Sequence, residues 1–288
     1  MRFVGAPGQE AVAVKNLQLF FLKLFTNSIT QSKKMKKSFL PALAIFTITV
    51  IASCQSATEG EQHVADTSAT NSPTTMSTPL KEKVLTASEQ KALTPDSVIQ
   101  IFKEGNRRFM NNNLTARDHS ALVRDAAAGQ YPKAVVLSCL DSRIPVEDVF
   151  DRGIGDIFVA RVAGNFVNED ILGSMEFGCK VSGAKLILVM GHESCGAIKA
   201  AIDNVKMGNI TAMLTKIQPA VVASQDFKQD RTSKNKEFVD YVSKNNVKNT
   251  IEAIKAKSPI LKDMADKGEI KIIGGYYSLE TGEVTFFE

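Results

Sequence analysis

Four short apolar segments, separated by stretches with helical periodicity, constrain the fold of this chain most strongly. They are AVVLS (134–138), DIFVARVAG (156–164), KLILVMG (185–191) and EIKIIGGYY (269–277). Each has the length and composition of a buried strand. Strands that alternate with helices form sheets that are mostly parallel and covered by helices. The sequence therefore predicts an α/β fold with a mostly parallel β-sheet flanked by helices.

Helices are predicted between and before these strands. The periodic segments are 168–182, 194–207, 210–224 and 234–256. Another helix is predicted to begin at Thr94, because Thr-Pro supplies a cap followed by proline at the first helical position. A final strand, EVTFFE, is predicted after the turn at Glu280, Thr281 and Gly282.

The N-terminal region has the pattern of an export signal. In MKKSFLPALAIFTITVIASC (35–54), two lysines precede an apolar run, and small residues then lead to Cys54. This order is typical of secretory signals, and the last four residues resemble a bacterial lipobox, in which the cysteine is lipidated. Met35 is the preferred start. An uncleaved anchor is the alternative, although the apolar run is short for a span of about 20 residues.

The chain is therefore expected to have three parts. Residues 1–53 are a targeting segment, and residues 54–87 are a tether with too few large apolar side chains to fold. Residues 88–288 form one domain. We expect an exported protein of the periplasm or outer membrane, held to the membrane by lipid at Cys54.

The charge distribution argues against a nucleic-acid-binding protein. The net charge is +4, but the first 53 residues hold 7 of the 35 basic residues and only 1 of the 31 acidic ones. The remainder is slightly acidic. A basic surface, which nucleic-acid binding requires, is therefore not expected in the folded domain.

Reactive side chains follow two of the predicted strands. Cys139, Asp141 and Arg143 occupy alternate positions in SCLDSR, so they face the same way if the segment is extended. His192 and Cys195 follow another strand, in GHESCG. Functional groups gather at the carboxyl ends of strands in such sheets. We therefore expect the two groups to meet.

The types of these side chains favour a zinc site. Two thiolates and one imidazole, with a fourth position that is open or filled by Asp141, suit Zn²⁺. Three protein ligands with an exchangeable fourth position are typical of catalytic zinc. Cys179 is expected to be a buried apolar residue, and His119 to lie at the surface or behind the site.

CLDSR (139–143) and HESCG (192–196) resemble the motifs of the β-class carbonic anhydrases. The similarity extends over nearly all of residues 95–288, including PKAVVLSCLDSRIPVEDVFDRGIGDIFVARVAGN, GSMEFGCKVSGAKLILVMGHESCGAIKAA and IKIIGGYYSLETGEVTF. The resemblance implies zinc-dependent, reversible hydration of carbon dioxide to bicarbonate. It also implies an N-terminal helical arm that wraps onto a partner, in a homodimer or a dimer of dimers.

The same resemblance assigns roles to individual residues. It implies that Cys139, His192 and Cys195 ligate zinc. Asp141 either completes the ligand set or turns away to pair with Arg143, which would keep the site open. Apart from the resemblance, Gly164, Asn165 and Gly196 are expected to act through the backbone, and Gly196 is expected to let the chain pass close to the metal and to open a helix.

Three other functions are consistent with parts of the pattern. Carbon disulfide or carbonyl sulfide could be hydrolysed on the same scaffold with the same ligands. A non-catalytic zinc-binding lipoprotein would have a permanently closed site, which leaves the retained Asp141 and Arg143 unexplained. A redox protein with a Cys139–Cys195 disulfide would leave His192 without a role.

Overall fold

The computed structural model describes residues 82–287. The predicted targeting segment, Cys54 and nearly all of the predicted tether lie outside the described residues. Within residues 82–287, no helix has both the length and the apolar composition needed to cross a membrane.

A five-stranded sheet organises the described part of the chain. Its strands are β1 (Ala134–Ser138), β2 (Ile157–Arg161), β3 (Leu186–His192), β4 (Lys271–Tyr277) and β5 (Val284–Phe287), in the order β2-β1-β3-β4-β5. All neighbours are parallel except β4 and β5, which are antiparallel. The predicted mostly parallel sheet is confirmed. Strand β2 is shorter than predicted because Gly164 and Asn165 take left-handed backbone conformations, with φ of 84° and 40°.

Helices cover the sheet on both faces. They are α1 (Ala87–Ala92), α2 (Pro95–Met110), α3 (His119–Ala126), α4 (Val146–Val149), α5 (Glu169–Glu176), α6 (Gly196–Ile202), α7 (Gly208–Leu214), α8 (Gln218–Ala223), α9 (Lys236–Lys257) and α10 (Pro259–Asp266). The cap predicted for α2 is present, because the Thr94 hydroxyl accepts a hydrogen bond from the Ser97 backbone N–H.

Two of the predicted helices are divided in the structure. The segment 168–182 is α5 followed by one π-helical turn, Phe177–Val181. The segment 210–224 forms α7 and α8, with a break before Pro219 in the first turn of α8. Proline suits a helix start because its missing N–H has no intrahelical partner there.

The sheet is buried on both faces, as expected for parallel strands between helices. Val136 of β1 packs in the same cluster as Phe102 of α2. Its neighbour Val135 faces the opposite way, into a second cluster with Val247 and Ile251 of α9. A site is therefore expected at the carboxyl ends of these strands, where the backbone leaves the sheet.

A buried carboxylate ties the N-terminal helices to the turn after α4. Asp151 is fully buried and accepts hydrogen bonds from Arg108 Nε at 2.5 Å, Thr115 Oγ1 at 2.6 Å and Arg117. Glu82 also packs here, with Oε2 3.7 Å from Arg117 Nη2. Contacts to the domain thus begin before residue 88, the predicted domain boundary.

Candidate metal centre

The two predicted groups of reactive side chains meet at the carboxyl ends of β1 and β3. These strands are parallel neighbours, with Ser138 opposite Met190, so Cys139 leaves the sheet beside His192. Cys195 caps the start of α6. The ligand atoms of Cys139, His192 and Cys195 lie within 4.8 Å of one another. All three residues are buried, with 5%, 0% and 1% of their surface exposed.

The turn between His192 and Cys195 fixes the histidine ring. Ser194 adopts φ of 52°, which reverses the chain sharply enough to return Cys195 to the imidazole. The ring Nδ1 lies 2.9 Å from the Glu193 carbonyl oxygen. Because a carbonyl only accepts, Nδ1 carries the proton and Nε2 keeps its lone pair. Nε2 is buried and has no hydrogen-bond partner among the described residues.

The geometry of the cluster fits zinc. The Cys139 and Cys195 sulfurs are 3.9 Å apart. Tetrahedral zinc with thiolate bonds of about 2.3 Å holds two sulfurs about 3.8 Å apart. The buried, unpartnered Nε2 supplies the third donor. The donor set and its spacing therefore match a zinc site with three protein ligands.

Backbone N–H groups surround both sulfurs. Gly164 N–H donates a hydrogen bond to Cys139 Sγ at 3.3 Å, and Asp141 N–H donates to the same sulfur. The N–H groups of Ala197 and Ile198 favour the thiolate of Cys195. A hydrogen bond from Cys195 holds the pKa of Cys139 well below its usual value, although burial raises it. The same hydrogen bond between the two sulfurs raises the pKa of Cys195, and burial raises it further.

Asp141 is paired with Arg143. Arg143 Nε donates to Oδ1 at 2.9 Å and Nη2 donates to Oδ2 at 2.7 Å, so the pair is bidentate. The hydrogen bonds from Arg143 lower the pKa of Asp141 to about 2. The Asp141 carboxylate is not among the atoms that meet within 4.8 Å. Of the two arrangements implied by the resemblance, the structure has the one in which Asp141 turns to Arg143.

Arg161 is a site residue that sequence reasoning missed. From the end of β2, its guanidinium donates to the carbonyls of Cys139 at 3.1 Å, Asp141 at 3.2 Å and Ile144. One side chain thus holds the backbone of the loop that carries Cys139 and Asp141. The predicted strand 156–164 continued past Arg161, whereas the observed strand ends at Arg161, so sequence reasoning did not place this residue at a carboxyl end, where functional groups gather.

Three residues outside the cluster can now be placed. Cys179 is buried in the π-helical turn, as predicted, and burial raises its pKa to about 12. His119 is exposed at the start of α3, which agrees with the expectation of a surface position. Gly196 opens α6, but a Cβ there would meet no atom within 4 Å. Its predicted place at a helix start is confirmed, and its role in a close approach of the chain to the metal stays a prediction.

Comparison with known proteins agrees with this geometry. The sequence profile of the family described as carbonic anhydrase matches residues 134–284. Carbonic anhydrase 2 of Mycobacterium tuberculosis is 33% identical over 197 residues, which cover 65% of this chain and 90% of the relative.

Solved structures show the same fold. The β-carbonic anhydrase CcaA aligns with a TM-score of 0.53 at 21% identity, over 66% of this chain and 95% of that one. One of two tetrameric β-carbonic anhydrases from Sordaria macrospora aligns with a TM-score of 0.52 at 20% identity, over 58% of this chain and 86% of that one. The fold is that of the β-carbonic anhydrases, the sequence matches and the Cys–His–Cys cluster agree with it, and the chain belongs to the carbonic anhydrase family.

Proposed function

We propose that the chain is a zinc enzyme that interconverts carbon dioxide and bicarbonate. The observation that carries this function is the buried Cys139–His192–Cys195 cluster, which offers three ligand atoms while the carboxylate of Asp141 is engaged by Arg143. Zinc bound there lowers the pKa of water from 15.7 to about 7 and so supplies hydroxide near neutral pH.

Asp141 and Arg143 orient the nucleophile at the fourth ligand position. The Asp141 carboxylate, ionised because Arg143 lowers its pKa, can only accept hydrogen bonds at neutral pH. It can therefore accept a hydrogen bond from the O–H of the nucleophile, which directs a lone pair of that oxygen toward the substrate carbon. Arg143 holds the carboxylate in place and keeps it from competing for the fourth ligand position.

Stopped-flow measurement of carbon dioxide hydration, with zinc counted per chain, tests this function. We expect about one zinc per chain and turnover that rises with pH between about 6.5 and 9, because hydroxide is the nucleophile. Zinc without hydration at any pH in that range would contradict the proposal. Carbon disulfide and carbonyl sulfide, offered as substrates to the same preparation, test the alternative activity.

The Asp141–Arg143 pair gives a separate prediction. Asp141→Asn should lower hydration about 10²- to 10³-fold at every pH, because it removes the oriented acceptor. Arg143→Gln leaves Asp141 ionised but without its bidentate partner. We expect its loss of activity to be larger at pH 7 than at pH 9, because hydroxide competes better with the freed carboxylate at high pH. Parallel pH profiles for the two variants would contradict the role given to Arg143.

We also propose that the chain forms a homodimer or a dimer of dimers. Strand β2 lies at the sheet edge, and all five of its residues, Ile157–Arg161, are half-buried, unlike the fully buried β1 and β3. Phe177 and Val181, on the π-helical turn, are 53% and 69% exposed. An unpaired edge with exposed apolar side chains favours pairing with a second chain. A monomer in light scattering at micromolar concentration would overturn this proposal.

Export and lipid attachment remain proposals for the N-terminal region. They are supported by the signal-like pattern of residues 35–54, with a cysteine after small residues. Mass spectrometry of the protein isolated from membranes tests them. A lipid-modified N-terminal Cys54 is expected, whereas a mature protein that retains residues 35–53 would contradict the assignment.

A further inference from the structure

Helix α9 presents buried polar side chains to the loop that follows β2. Asn246 and Thr250 lie on one face of α9 and are 2% and 4% exposed. Burying an amide costs free energy unless its hydrogen bonds are satisfied. Asn246 Nδ2 donates to the Gly164 carbonyl at 2.8 Å, and Thr250 Oγ1 donates to the Asn165 carbonyl at 3.4 Å.

The same loop contacts a metal ligand. Gly164 N–H donates to Cys139 Sγ, so the two polar groups that flank one Cα atom bind α9 on one side and the sulfur on the other. Gly164 has φ of 84°, and a Cβ there would lie 2.4 Å from Ile217 Cδ1. Glycine is therefore required, yet glycine has the greatest freedom of rotation of any residue. The direction of its N–H must be fixed from outside.

We propose that Asn246 is a positioning residue for the metal site, which it serves by holding Gly164 so that its N–H points at the Cys139 sulfur. An N–H donor stabilises the charge of a thiolate ligand. Groups that orient metal ligands from behind typically contribute 10- to 100-fold to metal affinity or activity. The inference rests on the proposed zinc site but concerns a residue that is not a ligand.

Asn245 provides a matched control on the same helix. Its amide donates to Ser224 Oγ at 2.8 Å, toward the end of α8 rather than toward the metal centre. Replacing either asparagine removes one side-chain hydrogen bond from α9. Only Asn246 is connected to the sulfur through Gly164, so a general loss of helix packing and a loss of positioning are distinguishable.

The test measures zinc affinity of the full chain by competition with a chromophoric chelator. We expect Asn246→Ala to raise the zinc dissociation constant by about 10- to 100-fold, and Asn245→Ala by less than about 2-fold. In cobalt-substituted protein, the thiolate-to-metal charge-transfer band should shift in Asn246→Ala and not in Asn245→Ala. Asn246→Leu fills the same volume without a donor and replaces Asn246→Ala if the smaller side chain prevents folding.

Equal zinc affinity and an unshifted cobalt band in folded Asn246 variants would overturn the positioning role while leaving the zinc site intact. Wild-type protein that binds no zinc would overturn the proposed function and this inference together. A raised dissociation constant in both Asn246 and Asn245 variants, with no spectral shift, would show that loss of helix packing is responsible and would also overturn the positioning role.

Discussion

Cys139→Ala is expected to abolish zinc binding and to lower carbon dioxide hydration by at least about 10³-fold, because hydroxide is no longer generated near neutral pH. Two ligands remain in this variant, and tetrahedral zinc sites need at least three from the protein. Zinc content and stopped-flow hydration measure the effect.

Cys179→Ala is the control for this prediction, since it makes the same substitution at another buried cysteine. Cys179 is 2% exposed, and burial raises its pKa to about 12, so it remains a thiol at neutral pH. We expect full zinc content and near-normal hydration, with a loss of about 1 kcal/mol in the free energy of unfolding from the lost packing. Zinc loss in Cys179→Ala, or zinc retention in Cys139→Ala, would contradict the ligand assignment.

Asp151→Ala is expected to lower the free energy of unfolding by about 3–5 kcal/mol, because it removes the buried carboxylate that the guanidinium groups of Arg108 and Arg117 share. Asp151 is fully buried, and Arg117, which shares it with Arg108, has only 9% of its side chain exposed. Chemical denaturation measures the change. Asp125→Ala, an exposed position on α3, is the control and should change the free energy by less than about 0.5 kcal/mol.

The same carboxylate makes the fold sensitive to acid. Burial raises the pKa of Asp151, but hydrogen bonds from Thr115 and Arg108 outweigh this and lower it from 3.8 to about 2. A folded pKa below the unfolded one stabilises the fold above about pH 4, and this stabilisation is lost as pH falls through about 2. Acid unfolding of wild type and Asp151→Asn should therefore converge at low pH. A constant difference between them would contradict this assignment.

Much of the fold was predictable because its signals are local. The apolar runs that form β1 and β3 are buried on both sides, and such strands are recognisable from composition alone. Helices α1, α3, α4 and α10 were not predicted, and they have only 6, 8, 4 and 8 residues. Helices of this length show too few turns for periodicity to identify them.

The cluster of Cys139, His192 and Cys195 was predictable because its signals are also local. Cys139 lies directly after one strand, and His192 and Cys195 flank the end of another, so the placement of parallel strands brings them together. The motifs also brought Asp141 and Arg143 into the site. Sequence reasoning left two arrangements of Asp141 open, because a carboxylate can either bind a metal or pair with a guanidinium.

The sequence by itself determined the fold class, the three candidate ligands and the presence of Asp141 and Arg143 beside them, since these follow from apolar runs and from short motifs at the ends of the strands. Tertiary structure alone decided that Asp141 turns to Arg143 and that Arg161 holds the loop of Cys139. It also decided that Asn246 reaches Gly164, 82 residues away in the chain. The contacts of Arg161 and Asn246 depend on how β2 and α9 pack against the loops around the Cys–His–Cys cluster, and no local periodicity encodes hydrogen bonds between segments that are distant in the chain.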